Sequence, residues 1–261
     1  MDFHDRIALV TGASSGIGRA AAVRLAELGA EVAVVGHSKE GAEEVVAQIT
    51  AAGGTAEAYG AELGDPEQVA ALYEEVGRRW SRLDVVVANA GINGVWAPLD
   101  QLTAEEWTRT ISVNLTGTFL TVKHALPLLR AAGGGAVVIT SSVNGTRMFS
   151  NSGASAYSSS KAAQVAFAKS VAVELAKDRI RVNVICPGSI ETSIDENTEQ
   201  RDTEHLRVPV EYPEGQIPLT GEEPGSAEQV ADLISFLSSD LASHITGTEV
   251  WIDGAQSLLA G

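Results

Sequence analysis

Tyr157 and Lys161 are a pair of residues whose types and spacing could do acid–base chemistry. They stand four residues apart in a stretch that predicts a helix, so their side chains would share one helix face. A free phenol has a pKa of about 10, which is too high for a good base at neutral pH. A neighbouring ammonium group favours the phenolate and lowers that pKa, which would let Tyr157 act as general acid and base. Alone, however, the pair is more typical of a surface tyrosine and lysine.

A glycine-rich turn, Thr-Gly-Ala-Ser-Ser-Gly-Ile-Gly, runs from Thr11 to Gly18 after the first predicted strand. Gly12 permits a sharp turn from strand to helix, and Gly16 lets the backbone approach a pyrophosphate without a Cβ in the way. Gly18 lets the helix pack closely on the sheet, and the helix N-terminus offers free N–H groups to phosphates. Because the turn lies between a buried strand and a helix, it predicts dinucleotide binding rather than an ordinary tight turn.

The elements that must position these residues alternate along the whole chain as short β-branched runs and amphipathic segments. Several runs are apolar at nearly every position, as in strands buried on both faces of a parallel sheet. The predicted strands are 7–10, 32–35, 55–59, 84–88, 136–141, 181–185 and 249–252. The predicted helices are 18–28, 41–52, 66–80, 104–129, 156–177 and 227–237. We therefore expect an α/β fold over residues 1–261, a single Rossmann-type doubly wound parallel sheet of about seven strands with helices on both faces.

Residues 193–225 break this alternation. They are polar and acidic and contain four of the eight prolines in the chain, including Pro209 and Pro218. The stretch is too long for an ordinary connection, so it predicts either a lid over the substrate or a disordered insertion.

Composition and charge narrow the function classes. The net charge of −16, from 34 acidic and 18 basic side chains, repels phosphate backbones and anionic membranes, so neither nucleic acid nor membrane is an expected partner. The same charge is also an ordinary means of staying soluble. The single cysteine, Cys186, excludes an intrachain disulfide, and no metal site is predicted. No apolar run reaches the length of a signal core or a membrane span, so we expect a cytoplasmic protein.

The glycine turn resembles the Thr-Gly-x-x-x-Gly-x-Gly motif of the short-chain dehydrogenase/reductase family, and Tyr157 with Lys161 matches that family's Tyr-x-x-x-Lys. The resemblance extends from residue 7 to residue 254 and implies two further catalytic residues. Ser142 follows a predicted strand and would hydrogen-bond the substrate oxygen, with Ser141 as the alternative because Ser142 lies farther from Tyr157 than is usual. Asn114 matches the helix asparagine of the family, which distorts its helix and holds a water that relays protons to the lysine.

The resemblance also implies where a nicotinamide dinucleotide would bind. Asn89-Ala90-Gly91 resembles the family's Asn-Asn-Ala-Gly, with Ala88 in place of the first asparagine, and Glu62 stands where an aspartate usually lies near adenine. The segment from Pro187 to Thr192 would orient the nicotinamide ring for hydride transfer. The full set of expected cofactor contacts is Gly12, Ser14, Ser15, Gly16, Ile17, Gly18, His37, Ser38, Glu62, Leu63, Asn89, Ala90, Gly91, Tyr157, Lys161, Pro187, Gly188, Ile190 and Thr192.

The end of the second predicted strand bears on the choice of cofactor. Members that prefer NAD(H) usually carry an acidic residue there, which binds the ribose 2′-hydroxyl. This chain has Gly36 at that place, followed by His37 and Ser38, which could meet a 2′-phosphate. We therefore favour NADP(H), with NAD(H) as the alternative.

The family's substrate pocket forms from the loops after the fourth, fifth and sixth strands. In this chain those loops supply Asn93, Trp96, Asn144 and Phe149, together with the segment 193–225. Trp96 and Phe149 would form an apolar wall, although both could equally be core or subunit-interface residues. A small alcohol or carbonyl compound is the expected substrate, whereas an acidic acyl carrier protein is disfavoured by the acidic surface. By analogy with the family we expect a homotetramer, with a dimer as the alternative.

Taken together, the motifs predict an NAD(P)(H)-dependent oxidoreductase that interconverts a small alcohol and its ketone or aldehyde by hydride transfer. Three alternatives stay open: an epimerase or dehydratase on the same scaffold, a cofactor-binding regulator without catalysis, and a non-enzymatic interaction protein. The first usually needs a longer C-terminal substrate domain. The second does not explain the joint presence of Ser142, Tyr157 and Lys161, and the third explains neither these residues nor the glycine turn.

Overall fold

A seven-stranded parallel sheet organises the part of the chain that this computed structural model describes, residues 1–192, 198–206 and 212–259. The strands of the protein are β1 (Ile7–Thr11), β2 (Glu31–Gly36), β3 (Thr55–Gly60), β4 (Val85–Ala88), β5 (Val95–Trp96), β6 (Gly135–Thr140), β7 (Ile180–Pro187), β8 (Glu199–Gln200) and β9 (Glu249–Ile252). The sheet order is β3-β2-β1-β4-β6-β7-β9, and all neighbouring strands are parallel. The predicted α/β fold with a seven-stranded parallel sheet is confirmed, whereas β5 and β8 were not predicted.

Helices cover both faces of this sheet. They are α1 (Gly16–Glu27), α2 (Lys39–Ala51), α3 (Pro66–Trp80), α4 (Ala104–Ile111), α5 (Gly117–Ala131), α6 (Ser155–Leu175), α7 (Ala227–Ser238) and α8 (Gln256–Leu259). Apolar side chains of α3, α5 and α6 form one core, and those of α1, α2 and α7 form the other. Successive residues of β1 alternate between the two, with Leu9 in the first core and Val10 in the second. Among the described residues, no helix is long and apolar enough to cross a membrane.

The strand order reverses direction beside β1. The chain passes from β1 outward through β2 to β3 and then returns to β4 on the other side of β1. Ligands of doubly wound sheets bind at such a switch point, at the carboxyl ends of the strands. The glycine turn after β1, the Asn89–Gly91 turn after β4 and Ser141 and Ser142 after β6 therefore all lie at one edge of the sheet.

The single helix predicted over 104–129 is wrong as one element. The structure has α4, then a π-helical turn at Ser112–Thr116, then α5. The turn centres on Asn114, whose side chain is fully buried and bonded to neighbouring elements. Periodicity alone could not predict this turn, because the apolar spacing on either side of it continues almost unchanged.

The segment predicted as a lid over 193–225 is described only in part. Residues 193–197 and 207–211 lie outside the described residues, as do 260–261. Within the described part, β8 pairs in parallel with β5 as a separate two-stranded sheet, which the sequence did not predict. The alternatives of a lid and a disordered insertion therefore stay predictions for the segment as a whole.

Candidate functional site

A cavity of about 440 Å³ opens at the carboxyl ends of β1, β4, β6 and β7. Sixteen of the nineteen predicted cofactor residues line it; the exceptions are Gly18, Glu62 and Leu63. Ser142 lines the same cavity, so the glycine turn and three of the four predicted catalytic residues share one space. The remaining lining residues are Gly41, Thr140 and Ser141.

The glycine turn is built for close approach. Gly12 has a φ of +62°, and a Cβ there would lie 2.7 Å from the Ala90 Cα atom. A Cβ on Gly18 would lie 2.1 Å from the Gly12 carbonyl oxygen. Gly18 therefore lies behind the turn, where it lets α1 pack against it, rather than lining the cavity. The Asn89 side chain donates to the Thr11 and Gly12 carbonyls at 3.2 and 3.3 Å, which ties β4 to the turn.

The N-terminus of α1 opens into the same cavity. Its N-cap residue, Ser15, makes no side-chain capping hydrogen bond, so the first N–H groups of the helix are not satisfied by it. Such a helix end attracts anions through its free donors and its dipole. The shape of the turn and this helix end together fit the pyrophosphate of a dinucleotide.

Tyr157 and Lys161 lie side by side on the first turns of α6. Both are nearly buried, and the Lys161 Nζ atom lies 5.5 Å from the centre of the Tyr157 ring. Lys161 donates a hydrogen bond of 3.0 Å to the Thr140 carbonyl at the end of β6. Burial lowers the pKa of Lys161 to about 8, which leaves the ammonium form in the majority at neutral pH. The cation required to favour a Tyr157 phenolate is therefore in place.

The two serines after β6 have different surroundings. Ser141 is buried and donates its hydroxyl proton to the Lys161 carbonyl at 2.8 Å. The Ser142 hydroxyl accepts a hydrogen bond of 3.1 Å from the Asn144 N–H, which leaves its own proton available for a substrate oxygen. This difference supports Ser142 over Ser141 as the residue that contacts substrate.

Asn114 joins three elements behind the cavity. Its side-chain oxygen accepts from the Ile92 N–H at 2.8 Å, and its amide donates to the Ile92 carbonyl and to the Ser160 hydroxyl of α6. The Asn114 carbonyl accepts from Thr118 at 2.7 Å and from the Gln164 amide at 2.8 Å. Since a carbonyl oxygen has two lone pairs, these two donors fill its capacity to accept hydrogen bonds.

The residues predicted to hold the adenine half of the cofactor line a second cavity beside the first. Glu62 and Leu63 line this cavity of about 600 Å³, which shares Gly12, His37, Ala90 and Gly91 with the first. His37 Nδ1 lies 3.4 Å from the Glu62 carboxylate, and both side chains are solvent-accessible. Nearby, a Cβ on Gly36 would lie 2.4 Å from the Ser14 hydroxyl.

The predicted substrate residues divide into two groups. Trp96 lies against Tyr157, with 6.4 Å between ring centres, and its indole N–H donates to the Asn93 carbonyl at 3.3 Å. Asn93 is itself buried and donates to Thr198 at 2.6 Å, and Asn144 accepts from Asn151 at 2.8 Å. The structure does not bring Phe149 to this group, because its side chain is 72 % exposed. None of the four predicted substrate residues lines either of the two cavities.

Three residues near the site had not been predicted from the sequence. The Thr140 carbonyl accepts a hydrogen bond from Lys161, and Gly41 lets α2 approach Ser14. Gln164 is fully buried and holds the Asn114 carbonyl. Only Gln164 had a usable signal, since it stands three residues after Lys161 on the same helix face and is polar in a run of small and apolar residues.

The described residues have the features that a nicotinamide dinucleotide requires. The glycines keep the floor of the cavity free of Cβ atoms; at Gly91, for example, a Cβ would lie 3.3 Å from Lys161 Nζ. Ser14 lines the first cavity, and its hydroxyl is buried without a hydrogen-bond partner among the described residues. In the same part of the chain, no group of three or more histidine, cysteine, aspartate or glutamate side chains could hold a metal ion.

Comparison with known proteins agrees with this geometry. The family model described as short chain dehydrogenase matches residues 6–203. A cis-4-hydroxycyclohexanecarboxylate dehydrogenase of Sinomonas cyclohexanicum is 40 % identical over 97 % of this chain and 96 % of its own length. A cyclohexanol dehydrogenase of Acinetobacter strain SE19 is 36 % identical over 97 % of this chain and 95 % of its own.

A solved structure agrees over the same length. The 3-ketoacyl-ACP reductase of Sinorhizobium meliloti 1021 superposes with a TM-score of 0.93 at 50 % identity, covering 97 % of this chain and 99 % of that chain. The matched family model, the relatives and the shared fold lead to one conclusion. The chain belongs to the short-chain dehydrogenase/reductase family of nicotinamide-dependent oxidoreductases.

Proposed function

We propose that this enzyme interconverts a small secondary alcohol and its ketone, with Tyr157 as the general acid and base. The observation that carries the proposal is the shared cavity: Tyr157, Lys161 and Ser142 line the same space as the phosphate-binding turn. A regulator that had lost catalysis would have no need of a buried lysine beside a nearly buried tyrosine, because burying that charge costs stability.

Each residue has a defined part in the reaction. The glycine turn and the Asn89–Gly91 turn would hold the nicotinamide dinucleotide, which when bound would supply the hydride for reduction or accept it in oxidation. Ser142 donates a hydrogen bond to the substrate oxygen and stabilises the negative charge that develops there. Tyr157 gives its proton to that oxygen during reduction and takes it back during oxidation. Lys161 favours the phenolate of Tyr157 through its positive charge.

The cofactor we propose is NADP(H), with NAD(H) as the alternative. Gly36 stands where a carboxylate would repel a 2′-phosphate, and the unpartnered Ser14 hydroxyl and the Ser38 cap of α2 lie beside it. Glu62 works against this choice, because its carboxylate lies 3.4 Å from His37 and offsets any positive charge there. A higher kcat/KM with NADPH than with NADH would support the assignment, and the reverse ratio would replace it with NAD(H).

The substrate we propose is an alcohol or ketone on a six-membered carbon ring. Trp96 supplies a flat apolar surface against Tyr157, which suits a ring better than a flexible chain. The names of the two dehydrogenase relatives, which act on hydroxylated cyclohexanes, point to the same class. A carrier-bound 3-ketoacyl chain is the second candidate, because the related structure at 50 % identity has that name. The net charge of −16 opposes docking of an acidic carrier.

The absorbance of the reduced nicotinamide ring tests both the reaction and the substrate. We expect turnover of cyclohexanone and substituted cyclohexanones, with kcat/KM at least about tenfold above that of a linear ketone of equal carbon number. A 3-ketoacyl thioester, free and carrier-bound, provides the competing substrate. Faster turnover of the carrier-bound chain would reject the ring assignment but keep the reaction. Absence of turnover across ring, linear and thioester substrates, with the cofactor bound, would reject the reaction itself.

A further inference from the structure

A short segment, residues 198–206, follows β7 and lies beside β5. Its strand β8 pairs with β5, and the Arg201 N–H donates to the Trp96 carbonyl at 2.9 Å. Asn93, just before β5, donates to Thr198, just before β8. A ladder of two residues on each strand is marginal by itself, so other contacts must hold these strands together.

The Arg201 side chain provides such a contact. Its guanidinium forms an ion pair with the Glu106 carboxylate of α4 and donates to the Gln101 carbonyl at 3.3 Å. Both charged side chains are about one-quarter to one-third exposed, which is less than most surface pairs in this protein. A planar guanidinium that donates to two acceptors holds a more defined geometry than a single charge contact.

Glu106 is held in turn by α4 itself. One of its carboxylate oxygens accepts from the Thr103 N–H at 2.9 Å and completes the capping box of the helix. The other oxygen faces Arg201. These contacts, first the hydrogen bond from Thr103 and then the pair with Arg201, keep the pKa of Glu106 below its usual value. The Glu106 carboxylate is thus held in its charged form by contacts on both of its oxygens.

Trp96 connects the ion pair between Arg201 and Glu106 to the catalytic Tyr157. The indole belongs to β5, the strand that Arg201 bonds to, and it lies against the ring of Tyr157. We infer that Arg201 is a positioning residue: through Glu106 it fixes β5, and so sets the place of the Trp96 wall that binds the substrate ring beside Tyr157. This inference deepens the proposed function and rests on it for the identity of the substrate.

Arg201→Met tests the inference by removing the charge and the two donated hydrogen bonds while keeping an aliphatic stem. We expect KM for the ring ketone to rise about tenfold with kcat within about twofold, because a surface that binds the ring equally in the ground and transition states is lost while Tyr157 and the cofactor contacts stay. Arg201→Lys keeps the charge without the fork and should give an intermediate KM. Glu106→Gln keeps the helix cap but removes the charge, and should raise KM in the same way even if Arg201→Met does not fold.

Arg130→Met is the matched control, since Arg130 pairs with Asp178 at 2.7 Å on the surface away from both cavities. A readout independent of turnover is acrylamide quenching of Trp96, obtained as the difference between each variant with and without Trp96→Phe. Quenching should increase in Arg201→Met and stay at the wild-type value in Arg130→Met. If Arg201→Met matches Arg130→Met in both KM and quenching, the inference is wrong. If the wild type turns over no ring ketone, the substrate proposal fails, and the quenching result alone decides the role of Arg201.

Discussion

At the scale of single residues, Lys161 has the most demanding environment in the site. It is nearly buried, and burial lowers its pKa from 10.5 to about 8. A buried ammonium costs free energy that an apolar side chain of similar length would not. Lys161 is buried despite this cost, and its positive charge lies beside Tyr157. This combination is typical of a functional residue rather than a structural one.

Lys161→Met should abolish most turnover without lowering stability at pH 7. The folded-state pKa of the lysine is below its unfolded value, so the cost of its charge is fully present below pH 8 and fades as pH rises towards 10.5. The unfolding free energy of the wild type should therefore rise by about 3 kcal/mol relative to that of Lys161→Met as the pH rises from 8 to 10.5. Urea unfolding of both proteins at pH 7 and pH 10 measures the change; a constant difference between them would contradict the burial of a charged Lys161.

The sequence was informative for residues that belong to a motif with fixed spacing. Tyr157 and Lys161 could be paired from helix geometry alone, and Ser142 and Asn114 from the resemblance. It was not informative where contact depends on tertiary placement. Nothing in the sequence brings His37 to Glu62, 25 positions away, or keeps Phe149 at the surface.

At the scale of elements, the turn between β1 and α1 determines how closely the cofactor can approach. Gly18→Ala should disrupt it, because the added Cβ would lie 2.1 Å from the Gly12 carbonyl oxygen and 2.6 Å from the Asn89 amide. We expect a loss of about 1–3 kcal/mol in unfolding free energy from the forced backbone shift. Affinity for the reduced cofactor should fall at least about tenfold.

Gly77→Ala is the control for this prediction. Gly77 lies within α3, where the nearest atom to an added Cβ is 3.6 Å away. This substitution should raise the unfolding free energy by about 0.5–1 kcal/mol and leave cofactor binding unchanged. Unfolding in urea and fluorescence titration with the reduced cofactor give both quantities. Wild-type affinity in Gly18→Ala would show that the close approach is not needed.

The positions of the elements were predictable because each carries its own signals. Asp65 accepts from two N–H groups at the start of α3, and Ser226 forms a capping box with Gln229 at the start of α7. The π turn around Asn114 and the β5–β8 pair were not predictable. The first is stabilised by buried contacts to Ile92 and Ser160, and the second by Arg201, all of which require the folded chain.

At the scale of the whole molecule, the seven-stranded sheet was predictable from apolar runs, whereas assembly was not. Large apolar side chains are exposed on α5 and α6, including Phe119 at 42 % and Val173 at 82 %. Phe119 also packs edge-on against Phe167 of α6, so the two helices present one apolar surface. Such surfaces commonly mark contacts between subunits.

We predict a homotetramer in solution by analogy with the family, and covering this apolar surface with a second copy would favour one of its interfaces. Multi-angle light scattering at micromolar concentration measures the mass directly. A dimer would mean that the α5 and α6 surface is used without a second interface. A monomer that keeps full activity would contradict the assembly prediction without affecting the chemistry of the site.

The central claim is that Tyr157 transfers the proton in a nicotinamide-dependent reaction, and Tyr157→Phe tests it most directly. The variant keeps the ring that packs against Trp96 and removes only the hydroxyl, so cofactor affinity should stay within about twofold of wild type. Turnover, followed by the absorbance of the reduced nicotinamide ring, should fall by at least about 100-fold. Lost turnover with intact cofactor binding is the result that the account predicts. Near-normal turnover in Tyr157→Phe would contradict it.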